Sequence, residues 1–138
     1  MLREKRRIPM DAGNCVLKLN HLVFDEICFH RSGFQNTNEL NIEFSFKFED
    51  RENGEFVSRL RLVGTKADEY NFVVCASGFF EIGPDVQNRD KMIRQNSVAI
   101  VFPYIRSQVS LLTAQPEVEP IVLPPVNIAK MVEDSMTE

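Results

Sequence analysis

The sequence predicts an α+β fold: one four-stranded antiparallel sheet packed with a long helix and a short C-terminal helix. Three observations carry that expectation. Apolar and polar residues alternate without exception from Leu40 to Glu49, the period of a strand with one covered face. Asn53-Gly54 follows, a dipeptide that tolerates the positive φ of a hairpin turn. After Pro84 the apolar period lengthens from two toward that of a helix. The chain has 138 residues, enough for one core and no second.

Taken in order, residues 1–14 carry Arg3, Lys5, Arg6 and Arg7, broken by Glu4, with Pro9 and Gly13 behind them. They are expected to form a mobile basic arm, leaving residues 15–138 as the single domain. Within it, strands are expected over about 15–82 and helices over about 86–136. From Cys15 to Phe29, Leu17, Leu19, Val23, Ile27 and Phe29 share one parity, while Leu22 and Phe24 fall on the other. A bulge near residues 22–25 explains the switch. Residues 31–38 read as a loop holding Phe34. The second strand begins at Leu40, and its row of Phe44, Phe46 and Phe48 reads as core beneath a helix, with a groove as the competing use. A third strand spans about Glu55 to Lys66, with Phe56, Leu60 and Leu62 inward and Arg59 and Arg61 outward.

The fourth strand, Tyr70 to Ile82, is apolar on both faces, and such strands are normally covered on both. One small domain has helix for one side only. The second face, with Val73, Cys75 and Phe79, is therefore expected at a subunit interface. Val98, Phe102, Ile105, Val109 and Leu112 are spaced by 4, 3, 4 and 3, the stripe of a long helix. Val98, Ile105, Val109 and Leu112 are expected to share that interface. Pro103 sits in the helix's first turn or kinks it, and Pro116 and Pro120 end it. Asn127 suits the N-cap of a last helix, Ile128 to about Met136.

Composition excludes several functions. The net charge of −4 argues against a nucleic-acid partner. Cys15, Cys28 and Cys75 are too few and too scattered for a disulfide framework or a zinc ribbon. His21 and His30 have no metal-binding spacing, so neither metal nor cofactor is expected. No apolar run approaches the ~20 residues of a membrane span, and no signal core follows the N-terminal charges. A cytoplasmic chain without membrane insertion is expected. Small acyl-thioester hydrolases also wrap a curved sheet around a long helix, and they need an acid there. Residues Val98 to Ala114 include no Asp, Glu or His, and Ser107, Ser110 and Thr113 lack a base. No enzymatic activity is expected.

Two motifs point further. Val101-Phe102-Pro103-Tyr104-Ile105-Arg106 is followed by Leu123-Pro124-Pro125-Val126-Asn127. Together they resemble the Phe-Pro-Tyr-x-Arg and Leu-x-Pro-Val/Ile-Asn signatures of the SecB family of protein-export chaperones. Asp25-Glu26-Ile27-Cys28-Phe29 and Gly78-Phe79-Phe80-Glu81-Ile82 resemble the family's first-strand and fourth-strand segments. The resemblance covers about residues 17–134. It implies an ATP-independent holdase, a dimer of dimers that keeps unfolded preproteins in apolar grooves and delivers them to the SecA motor. The second strand and the last connector would flank the groove, lined by Phe34, Ile42, Phe44, Phe46, Phe102, Tyr104, Leu123, Pro124, Pro125 and Val126. Asp25 and Glu26 would face the motor. Members that serve SecA present an acidic sheet and a C-terminal extension. Here His30 and Val73 stand at two of the sheet positions, and Glu138 closely follows the last helix, so affinity for SecA is expected to be weak or absent. SecB-like chaperones of toxin–antitoxin pairs, which hold an unstable antitoxin, are the alternative.

Overall fold

The computed structural model describes residues 17–83, 88–124, 130–132 and 134. The expected N-terminal arm, and the N-cap assigned to Asn127, lie outside these residues. Four strands, β1 (Leu17–Arg31), β2 (Leu40–Asp50), β3 (Glu55–Lys66) and β4 (Tyr70–Ile82), form one antiparallel sheet in the order β1-β4-β3-β2. The β2–β3 hairpin closes through Asn53 and Gly54 at φ 59° and 75°, the left-handed pair that its dipeptide favours.

β1 runs two residues past the expected Phe29 and is more irregular than its alternation suggests. Its pairing with β4 shifts register twice, between Leu19 and His21 and between Phe24 and Glu26. The second bulge falls in the expected region; the first was not expected. Each inserts one residue and turns the following side chains over. Leu22 and Phe24 therefore pack against the core, and Val23 is left exposed on the other face.

The helical segment starts earlier than its stripe. A short turn, α1 (Arg89–Lys91), runs through a π turn over Met92–Asn96 into α2 (Ser97–Thr113). Pro103 lies inside α2, which ends at Thr113, ahead of Pro116. At the π turn the Ser97 hydroxyl donates to the Ile93 carbonyl and lies 2.8 Å from the hydroxyl of Ser58 on β3. All three groups are buried, so the bonds join helix to sheet without an orphaned donor. The core sits between α2 and the centre of the sheet: Val98, Val101, Ile105 and Val109 pack on Leu60, Leu62, Phe72, Val74 and Phe80. Residues 130–132 and 134 are helical, with Val132 buried in the same core.

The β1–β2 crossover, residues 32–39, is pinned to the β3–β4 turn. The Glu69 carbonyl accepts the N–H groups of Ser32 and Gly33 at 2.8 and 3.1 Å. Its buried carboxylate accepts the Asn36 N–H at 3.0 Å and pairs with the Lys66 ammonium at 2.8 Å. The Asn36 and Asn38 side chains both donate to the Ala67 carbonyl. Gly33 is needed here, because a Cβ at that position would fall 2.1 Å from the Asp68 carbonyl oxygen.

The bond from Lys66, helped by the Asn36 N–H and by Arg31, holds the Glu69 carboxyl below its ordinary 4.5 despite its burial. Lys66 is raised above 10.5 by the same bond. Tyr70 and Glu119 are the other titratable groups acting on Lys66. A depressed carboxyl stabilises the fold fully above its unfolded value and loses that contribution as pH falls through the lower folded value. The Asn36 amide resonance should therefore titrate with a midpoint below 4.5 while strand amides such as that of Leu62 stay fixed. A midpoint at or above 4.5 would contradict the assignment.

Candidate functional site

Among the described residues, three apolar features beside the helix layer stand out as uncovered. The first is Phe34, which stands 90% exposed on the pinned crossover loop. The second is the β2 flank, where Leu40, Ile42, Phe44, Phe46 and Phe48 face the helix side but remain half-buried. β2 is also an edge of the sheet, and strand edges carry unpaired backbone groups.

The third is a cleft of about 670 Å³ between α2 and the connector that follows it. Pro103, Leu111, Ala114 and Val122 line it, with Arg106, Ser107 and Ser110 as its polar residues. Leu111 and Val122 are 67% and 73% exposed. The connector is fixed to the helix at both backbone polar groups of one residue, Ile121. Ser110 Oγ donates to the Ile121 carbonyl at 2.9 Å, and the Ile121 N–H donates to Thr113 Oγ1 at 2.8 Å. These two hydroxyls, which have no catalytic base in the sequence, are what hold the cleft's second wall. Their spacing of three on one helix face was the available signal.

The expected groove residues separate into two sets. Phe34, Ile42, Phe44, Phe46, Tyr104 and Pro124 offer surface, Tyr104 being 47% exposed. Phe102 does not: it is buried, its ring 5.8 Å from that of Phe44, and it backs the β2 row from beneath. Leu123 is likewise buried and anchors the connector to the core. Pro125 and Val126 lie outside the described residues.

The expected interface needs a larger correction. Val98, Ile105 and Val109 have no exposed surface, because they fill the chain's own core. Leu112 is half-buried against the same core. On the open face of the sheet Val73 and Phe79 are half-buried and Cys75 is buried. The chain itself covers Phe79 and Cys75, and Val73 keeps part of its surface. His21 stacks on Phe79 with ring centroids 4.5 Å apart, and the Arg51 guanidinium sits 5.4 Å over the same ring. Beside them Ser77 Oγ donates to Asp25 Oδ2 at 2.5 Å and accepts from Arg59 Nε at 2.8 Å. Arg59 also pairs with Asp25 at 3.7 Å, and Arg61 pairs with Glu26 at 3.8 Å. Long side chains thus roof the strand with their stems and neutralise each other above it. Burial, with the Asp25 carboxylate nearby, pushes the Cys75 thiol up, away from thiolate reactivity. Asp25 and Glu26, the expected motor contacts, are engaged within the face.

Among the described residues no three His, Cys, Asp or Glu gather as metal ligands would, and no helix is long and apolar enough to cross a membrane.

Comparison with known proteins agrees with this architecture. The chain is 30% identical over 128 residues to an uncharacterized protein of Methanocaldococcus jannaschii, covering 85% of this chain and 83% of that one. The fold is similar to that of a SecB-like chaperone of Mycobacterium tuberculosis, solved in complex with a ChAD peptide from the HigA1 antitoxin. That match has a TM-score of 0.67 at 13% identity, over 80% of this chain and 87% of that one. A protein of unknown function from Streptococcus agalactiae matches with a TM-score of 0.55 at 14% identity, over 79% and 97% of the two chains. The family model described as "Preprotein translocase subunit SecB" matches residues 22–138. With its sheet order, its Phe-Pro-Tyr helix and this match, the chain belongs to the SecB family.

Proposed function

We propose that the chain is an ATP-independent holdase of the cytoplasm that keeps unfolded polypeptides competent for folding or export. The observation that carries this reading is Phe34: a large aromatic ring held out in water on a loop whose backbone is fixed. Covering an exposed Phe is worth roughly 1.5–3 kcal/mol, and a pre-positioned one loses little entropy on binding. The adjacent β2 edge supplies backbone bonds that do not depend on client sequence. Apolar contact without directional polar groups gives the breadth of a chaperone rather than the selectivity of an enzyme. Phe34→Ala should weaken binding of a permanently unfolded, labelled polypeptide by about tenfold or more, a loss at the lower end of that energy range. Thermal midpoint and oligomer mass should not change. Wild-type affinity in the variant, read by fluorescence anisotropy, would overturn the assignment.

The dimer of dimers implied by the family is proposed to form through the outward side of α2. Tyr104 and Leu111 lie seven residues apart on that side, and Ser107, Ser110 and Ala114 are small enough to let a second helix approach closely. Repeated client sites on linked subunits would then add avidity to weak contacts. Leu111→Asp should lower the mass measured by light scattering, whereas Val73→Asp should not. The reverse pattern would return the interface to the open sheet face.

The toxin–antitoxin alternative has its own support. Asp25 and Glu26 are paired with Arg59 and Arg61, so the open face offers little free negative charge to a basic motor surface. The Mycobacterium tuberculosis protein of this fold was solved with an antitoxin peptide. Calorimetry at physiological salt should give weak or no binding to purified SecA. Submicromolar affinity would favour export.

A further inference from the structure

We propose that Glu69 is a latch that positions Phe34 for client capture without itself touching the client, a role that rests on the holdase reading above. The chain is held on both sides of Phe34. Before it, the Ser32 and Gly33 N–H groups donate to the Glu69 carbonyl. After it, the Asn36 N–H donates to Glu69 Oε1, and the Lys66 ammonium donates to the Asn36 carbonyl at 2.9 Å. One residue and its ion partner therefore clamp a five-residue span whose central part carries the exposed ring. Arg31 extends the clamp. Its Nη1 donates to the Gly33 carbonyl at 2.8 Å and its Nη2 to the Glu117 carbonyl at 2.7 Å, on the connector that carries Val122. Loop, turn and connector are thereby fixed to one another.

The second observation is the cost of the arrangement. Glu69 is buried, and its Oε2 has no hydrogen-bond partner. A neutral residue would close a β3–β4 turn without putting half a carboxylate out of reach of water. Burial of a charged pair is weak evidence for stability, and its best-attested use is to fix one arrangement among several. What is fixed here is the place of Phe34, since the strands that Glu69 joins are already paired along their length.

The test compares wild type, Glu69→Ala, Phe34→Ala, the double variant and Glu69→Gln. The probe is a reduced, carboxymethylated polypeptide that cannot fold. If the released loop stays in place in about a tenth of molecules, apparent affinity falls about tenfold. Glu69→Ala should show that loss, with faster amide exchange over residues 32–39 and unchanged exchange in β3 and β4. The double variant should bind no worse than Phe34→Ala alone, because the latch acts through the ring. Glu69→Gln keeps the acceptor for Asn36 and should recover part of the affinity; it carries the comparison if the alanine variant unfolds. Wild-type exchange over 32–39 in the Glu69 variants would overturn the latch, and so would losses that add in the double variant. If Phe34→Ala alone binds as wild type, the client contact assigned to Phe34 fails, and the exchange data still judge the latch.

Discussion

The long helix α2, about 10–12 Å across with its side chains, lies on a sheet whose four strand axes are separated by three steps of about 4.8 Å. It cannot reach both edges. α2 lies over β3 and β4, so their inward residues are buried completely: Leu60, Leu62, Phe72, Val74 and Phe80. β1 and β2 are the outer strands, and their apolar rows are covered only in part. Ile27 on β1 and the phenylalanines of β2 are half-covered for this reason. The mismatch in width is therefore the source of the half-covered β2 row assigned to clients, while Phe34 is displayed separately by the crossover loop.

The uncovered side of the sheet solves the opposite problem. β4 carries apolar residues on both faces and has a helix for one. Asp25, Ser77 and Arg59 form a bonded set over Cys75, while His21 and Arg51 close over Phe79. Ion pairs as exposed as Arg61–Glu26 contribute little stability individually, with a median near 0–1 kcal/mol. Their effect is to cover the strand with side-chain stems and to leave the face close to neutral. The outward side of α2, where Leu111 and Tyr104 have no such cover, is the surface proposed above for assembly.

Four hydroxyls at the helix layer have structural partners. Ser58 and Ser97 join sheet to helix, and Ser110 and Thr113 hold the connector. These four hydroxyls are engaged with backbone carbonyls, a backbone N–H or each other, and the cleft beside Ser110 is mostly apolar.

The four strands, the Asn-Gly hairpin, the long helix and the family were legible in the sequence, because each rests on local period or on short motifs whose residues adjoin. Strand ends were legible for the same reason: β3 and β4 run over the residues that alternation and turn chemistry mark. The doubled bulge of β1 was only half legible, since a register shift is decided by the partner strand. Burial was not legible. The stripe that marks Val98, Ile105 and Val109 as apolar is the same whether a subunit or the chain's own sheet covers it, and only the packed structure assigns them to the core. Likewise Asp25 and Glu26 read as free acids until Arg59 and Arg61, more than thirty residues away, are brought beside them. Glu69 gave no signal as one acid in a turn between charged neighbours. Its role exists only where the crossover loop, the Lys66 ammonium and the β3–β4 turn converge, because long-range pairing, which no local window contains, decides which charge is buried and what it holds.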